Sequence, residues 1–122
     1  MTTTDPQRLD PAAIPARLAP TGLQIEAAFS LPHGWLLAFA TADSPFEEVL
    51  HILLADPAGQ VRATRRLGGA YTPGILSDVR ALAADRFAFR FPATTPWHLA
   101  VRPPQTGWRG WLGRPLLRLT RA

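Results

Sequence analysis

The stretch Val49–Leu67, reading VLHILLADPAGQVRATRRL, leaves the chain little choice of local structure. Two runs rich in apolar residues flank Asp56-Pro57-Ala58-Gly59. Pro brings its fixed φ to the second turn position and Gly occupies the fourth, which predicts a type I turn. Leu50, Ile52 and Leu54 fall on one side of the first run. Val61, Ala63 and Leu67 mark one side of the second, where Arg65 interrupts. Side chains of a strand alternate between faces, so the stretch reads as a β-hairpin with one core face.

The same period recurs along the chain. Leu23, Ile25, Ala27, Phe29 and Leu31 share one side of residues 23–31, and Pro32-His33-Gly34 turns the chain. Residues 35–42, WLLAFATA, are apolar on both sides, as expected of a central strand covered on both faces. In residues 86–91, RFAFRF, Phe87, Phe89 and Phe91 point inward while Arg86, Ala88 and Arg90 point outward. Pro92 to Pro96 close a hairpin to residues 97–102, where Trp97, Leu99 and Val101 face in and His98, Ala100 and Arg102 face out. The expected fold is mainly β: an antiparallel meander of about six strands forming a small sandwich or a partly closed barrel. One short helix is expected around 74–84, because Ile75, Leu76, Val79, Leu82 and Ala83 recur at helical spacing. A strand over 75–81 is the rival reading.

At 122 residues the chain is one domain, or one domain with arms, and folding should bury about two-thirds of its unfolded surface. Residues 1–21 read as a Pro-rich N-terminal arm in which Asp10 can cap a turn opened by Pro11. Residues 22–103 form the β domain, and residues 104–122 are an Arg-, Trp- and Leu-rich, basic C-terminal tail. On a helical wheel the tail places Trp108, Trp111, Leu112, Leu116 and Leu119 on one side and Arg114, Arg118 and Arg121 on another. Gly110, Gly113 and Pro115 oppose that helix, and residues 116–121 can instead form a short strand.

Several residue types are missing, and each absence removes a chemistry. Without Cys there is no disulfide, thiol nucleophile or thiolate metal site. Without Lys there is no Schiff base and no P-loop lysine, and without Asn no N-glycosylation acceptor. All thirteen basic residues are therefore Arg. The net charge of +4 is modest but unevenly distributed. All nine acids lie in residues 1–85, whereas residues 86–122 hold seven Arg and no acid. Such asymmetry points to an anionic partner. No secretory signal and no run of ~20 apolar residues is visible, so a cytoplasmic location is the expectation.

Candidate sites follow from these patterns. Arg86, Arg90, His98 and Arg102 should share the outward side of one hairpin and make an anion-binding face, joined by Arg62 and Arg66 if their strands adjoin in the same sheet. A plain solvated face in a Lys-free protein is the ordinary alternative. Binding of single strands also calls for outward aromatics, and here the rings alternate inward. In the tail, Trp108, Arg109, Trp111, Arg114 and Arg118 are the anchor types used to bind a partner. Packing of the tail on its own sheet competes with that reading. His33, His51 and His98 fit no metal-binding or hydrolytic motif, so no catalytic residue, metal or cofactor is assigned. The expected function is a non-catalytic accessory or interaction protein, a small subunit or adaptor docking on a protein through its basic tail. A nucleic-acid-binding module using the Arg-lined face, a small-ligand-binding barrel and an anionic membrane surface as partner are the alternatives.

Overall fold

Inward-facing side chains from every second residue assemble two antiparallel sheets around one shared core in the computed structural model, which describes residues 6–18, 22–42, 47–70, 76–92, 94–102 and 116–122. Nine strands lie among them: β1 (Gln7–Leu9), β2 (Leu23–Ser30), β3 (Leu36–Ala42), β4 (Glu47–Ala55), β5 (Val61–Ala70), β6 (Ser77–Ala83), β7 (Arg86–Arg90), β8 (Pro96–Val101) and β9 (Leu117–Arg121). One sheet has the order β1-β2-β3-β4-β5 and the other β6-β7-β8-β9. Both are meanders, and they remain two separate sheets rather than a closed barrel.

The central hairpin forms as its turn chemistry dictates. The Gly59 N–H donates to the Asp56 carbonyl at 2.9 Å, and the Gln60 N–H donates to the Asp56 carboxylate at 2.9 Å. Gly59 takes φ +87°, a conformation that glycine adopts without a Cβ penalty. Leu50, Ile52 and Leu54 are fully buried on the core face of β4. Strand β3 is the middle strand of its sheet and is covered on both sides: Leu37 and Phe39 point into the core, while Ala38 and Ala40 are buried on the far face.

The two sheets meet through rings. Phe29 of β2 lies 4.9 Å from Phe87 of β7, and Phe39 of β3 lies 5.4 Å from Phe89, centroid to centroid. Tilted and edge-on pairs of this kind add roughly 0.5–1.5 kcal/mol each beyond the area they bury. On the far face of the five-stranded sheet, Leu9, Ile14 and Ile25 cover Ala28, Ala38 and Leu53. Ile25 reaches that face because a bulge after it shifts the register between β2 and β3, so it does not share a side with Ala27 and Phe29. The Asp10 carboxylate accepts from the Ala12 N–H at 3.0 Å and caps a single 3-10 turn over Pro11–Ala13.

The helix expected around 74–84 is corrected: residues 77–83 are the edge strand β6, paired with β7. Its apolar residues imitate helical spacing because β6 is irregular. Asp78 and Val79 together face Phe89, and Asp78 takes φ +55°, so the alternation breaks at the bulge. Only Val79 enters the core, and Leu82 is 48% exposed. The six expected strands likewise become nine among the described residues, the additional ones being β1, β6 and β9. The end of the chain is a strand rather than a helix: Leu117, Leu119 and Arg121 stand opposite Val101, Leu99 and Trp97 of β8. Residues 103–115, with Trp108, Arg109, Trp111 and Arg114, lie outside the described residues.

Candidate anion-binding site

Ala100 is the centre of the site. It is the penultimate residue of β8, on the outer face of the four-stranded sheet, opposite Arg86 of β7 on one side and Arg118 of β9 on the other. Strands lie about 4.8 Å apart, so the backbones of Arg86 and Arg118 are separated by roughly 10 Å with one small residue between them. Residues two apart on a strand share a face, which brings His98 of β8 to the same surface, and Arg102, just past the end of β8 and tied to Leu116, lines it from the other side of Ala100. Four basic side chains thus surround a methyl group. Thr120 adds a hydroxyl opposite His98. Leu82 of β6 forms a wall, and the resulting open concavity measures about 460 Å³.

The sheet puts this set together because the inward positions beside it are apolar. Phe87, Phe89, Leu99, Val101 and Leu117 are buried at 2% exposure or less, which fixes the facing of the alternate residues. The tie between the Arg102 N–H and the Leu116 carbonyl, at 2.8 Å, then sets the register of β9 and with it the place of Arg118. Arg86, His98, Arg102 and Arg118 are all exposed.

The charge balance is one-sided. Among the described residues no acid lines the concavity. Among the described residues none forms an ion pair with Arg86, Arg102 or Arg118, and Asp85, next to Arg86 in the chain, is no exception. The arginines outside the concavity present a contrast. Arg80 and Arg90 both pair with Asp78, and Arg62 lies 3.8 Å from Asp56. Arg8 and Arg65 donate to backbone carbonyls, and the Arg121 guanidinium lies 5.2 Å from the Trp97 ring. Two unit charges roughly 10 Å apart in water repel by about 0.4 kcal/mol, a tension that a bound anion would relieve.

The residues expected from sequence distribute as follows. Arg86, His98 and Arg102 come together. Arg90 is at the other end of β7, opposite Pro96, and its guanidinium turns to Asp78 at 3.5 Å. Arg62 and Arg66 belong to the other sheet and do not join the face. Arg118, assigned by sequence to the tail, joins Arg86 across Ala100; the signal available for it was the alternation of Leu117, Leu119 and Arg121 against Arg118 and Thr120. The histidines occupy three separate places: the turn after β2, the outer face of β4 and the outer face of β8. Among the described residues no three His, Asp or Glu side chains cluster as metal ligands. His51 is half-buried opposite Arg66, and burial, reinforced by the Arg66 charge, lowers its pKa below 6.5.

A second concavity, of about 570 Å³, runs between Asp10–Ile14 and β2. Its two acids are engaged within the fold: Asp10 caps the 3-10 turn and Glu26 accepts from the Thr41 hydroxyl at 2.8 Å. No helix among the described residues is long and apolar enough to cross a membrane. The chain matches no family model, and no curated protein and no solved structure is significantly similar to it.

Proposed function

We propose that this chain is a non-catalytic interaction module that docks on an acidic surface of a protein partner through the outer face of its four-stranded sheet. The observation that carries the reading is the ring of Arg86, His98, Arg102 and Arg118 around Ala100, with no acid among the described lining residues. Arginine is the residue suited to this task, since its planar fork pairs with carboxylate and phosphate oxygens while its stem covers apolar surface. The connection from β8 to β9 starts and ends beside this ring, at Arg102 and Leu116. By sequence it carries Trp108, Arg109, Trp111 and Arg114, residue types that commonly anchor protein partners. Among the described residues the face offers no ring for base stacking, since Phe87, Phe89 and Phe91 are all in the core, and this favours a protein partner over a single-stranded nucleic acid.

The test is affinity retention. Immobilised wild-type chain should hold its partner at low salt and release it as salt rises. The double charge reversal Arg86→Glu with Arg118→Glu should abolish retention, while Arg90→Glu, away from the ring, should not. Equal retention by the wild type and the double variant would refute the reading.

A further inference from the structure

Resting on that reading, we infer that the ring around Ala100 is a receptor for a phosphomonoester, a phosphorylated serine or threonine carried by a segment of the partner protein. The donor arithmetic favours a dianion. One guanidinium satisfies a carboxylate by a two-pronged pair. Here three arginines, a histidine and a threonine line one concavity. A phosphomonoester brings close to two negative charges and three acceptor oxygens, so each of several arginines finds an oxygen of its own.

The shape selects the source. The four basic side chains are exposed and the concavity opens to solvent, so it does not enclose the greater part of a small ligand as metabolite sites do. A side chain presented on a peptide needs no such enclosure. The donors centre on one residue rather than forming a stripe along the sheet. A nucleic acid backbone presents a row of phosphates, and among the described residues the rest of this face offers neither a matching row nor a ring on which a base can stack. The next row along the sheet is Ala88, His98 and Thr120. The neighbouring Arg80 and Arg90 are already paired with Asp78. The apolar Leu82 wall beside the ring suits a residue flanking the phosphorylated one.

The experiment is a titration of the isotope-labelled full chain, followed by amide and guanidinium resonances. The probes are a degenerate peptide pool with a central phosphoserine, the same pool with serine or glutamate there, inorganic phosphate and a single-stranded oligothymidylate. The phosphoserine pool should shift Arg86, Ala100 and Arg118 and bind at least about tenfold more tightly than the glutamate pool, reflecting the extra charge and oxygens. Arg118→Ser should lose that margin with its unfolding transition unchanged, and Arg90→Ser should keep it. Equal binding of the glutamate pool would overturn the phosphomonoester and leave the docking surface standing. Inorganic phosphate binding as tightly as the phosphopeptide would overturn the peptide source. Preference for the oligothymidylate would overturn both the inference and the protein partner. Binding of none of the probes would overturn the inference alone, since retention of the natural partner is measured separately.

Discussion

His51 shows how a single side chain can report on the packing around it. It lies on the outer face of β4 between Ala40 of β3 and Arg66 of β5. Desolvation and the neighbouring guanidinium both disfavour the imidazolium, so the folded protein holds its pKa below 6.5. The unfolded chain has neither effect and takes up a proton at the ordinary value. Between the two values the unfolded state binds more protons, and stability therefore rises with pH across that window. The His51 contribution is complete above 6.5 and is lost as pH falls through 6.5 toward the folded value. Denaturant unfolding measured above 6.5 and in steps below it should show wild type losing stability relative to His51→Gln. Parallel pH profiles for the two proteins would remove this account of His51.

At the scale of elements, the notable feature is how the open edges of the two sheets are joined. Arg8 of β1 donates to the Val79 carbonyl of β6 at 2.7 Å, and Arg65 of β5 donates to the Leu117 carbonyl of β9 at 3.2 Å. Each seam of the sandwich is thus crossed by one arginine. Arg65 stands opposite Ile52, on the inward side of β5, which explains why a charge interrupts an otherwise apolar face. Arg8→Ala and Arg65→Ala should each cost about 1 kcal/mol of unfolding free energy, as expected for a partly exposed hydrogen bond. The two sites are at opposite edges with no shared partner, so the double variant should lose the sum of the two within about 0.5 kcal/mol. A coupling much larger than that would mean that the seams open together.

The edges also mark where sequence reading ended. The strands legible from alternation were β2, β3, β4, β5, β7 and β8, most of them with a full row of buried side chains to one side. The strand it missed, β1, and the two it offered only as rivals of a helix, β6 and β9, are all edges. β1 has three residues and none of them buried, β6 buries only Val79, and β9 buries only Leu117. A strand with one neighbour and a single inward anchor leaves almost no periodic trace, and the bulge at Asp78 erased what remained in β6. The site was half legible for the same reason. Arg86, His98 and Arg102 alternate against buried residues within a strong hairpin. Arg118 rides on an edge strand whose short alternation competes with a helical spacing of the same residues.

At the scale of the whole molecule, one sheet gathers arginine and, among the described residues, no acid around a small residue, while Asp10, Glu26, Asp56 and Asp78 are engaged in caps, turns and pairs. The cation cluster opposes folding slightly, and anything negative that binds it should stabilise the fold. A ligand present at about a hundred times its dissociation constant adds about 2.7 kcal/mol, enough to move a transition of this size by several degrees. Phosphate also strengthens burial in any protein by exclusion from its surface, so the decisive quantity is the difference between wild type and a variant that lacks the ring. The most direct test is thermal unfolding of wild type and of Arg86→Ser with Arg118→Ser, in phosphate and in chloride at matched ionic strength. The account predicts a rise in Tm on exchanging chloride for phosphate that is several degrees larger for wild type than for the variant. The same shift in both proteins would contradict it.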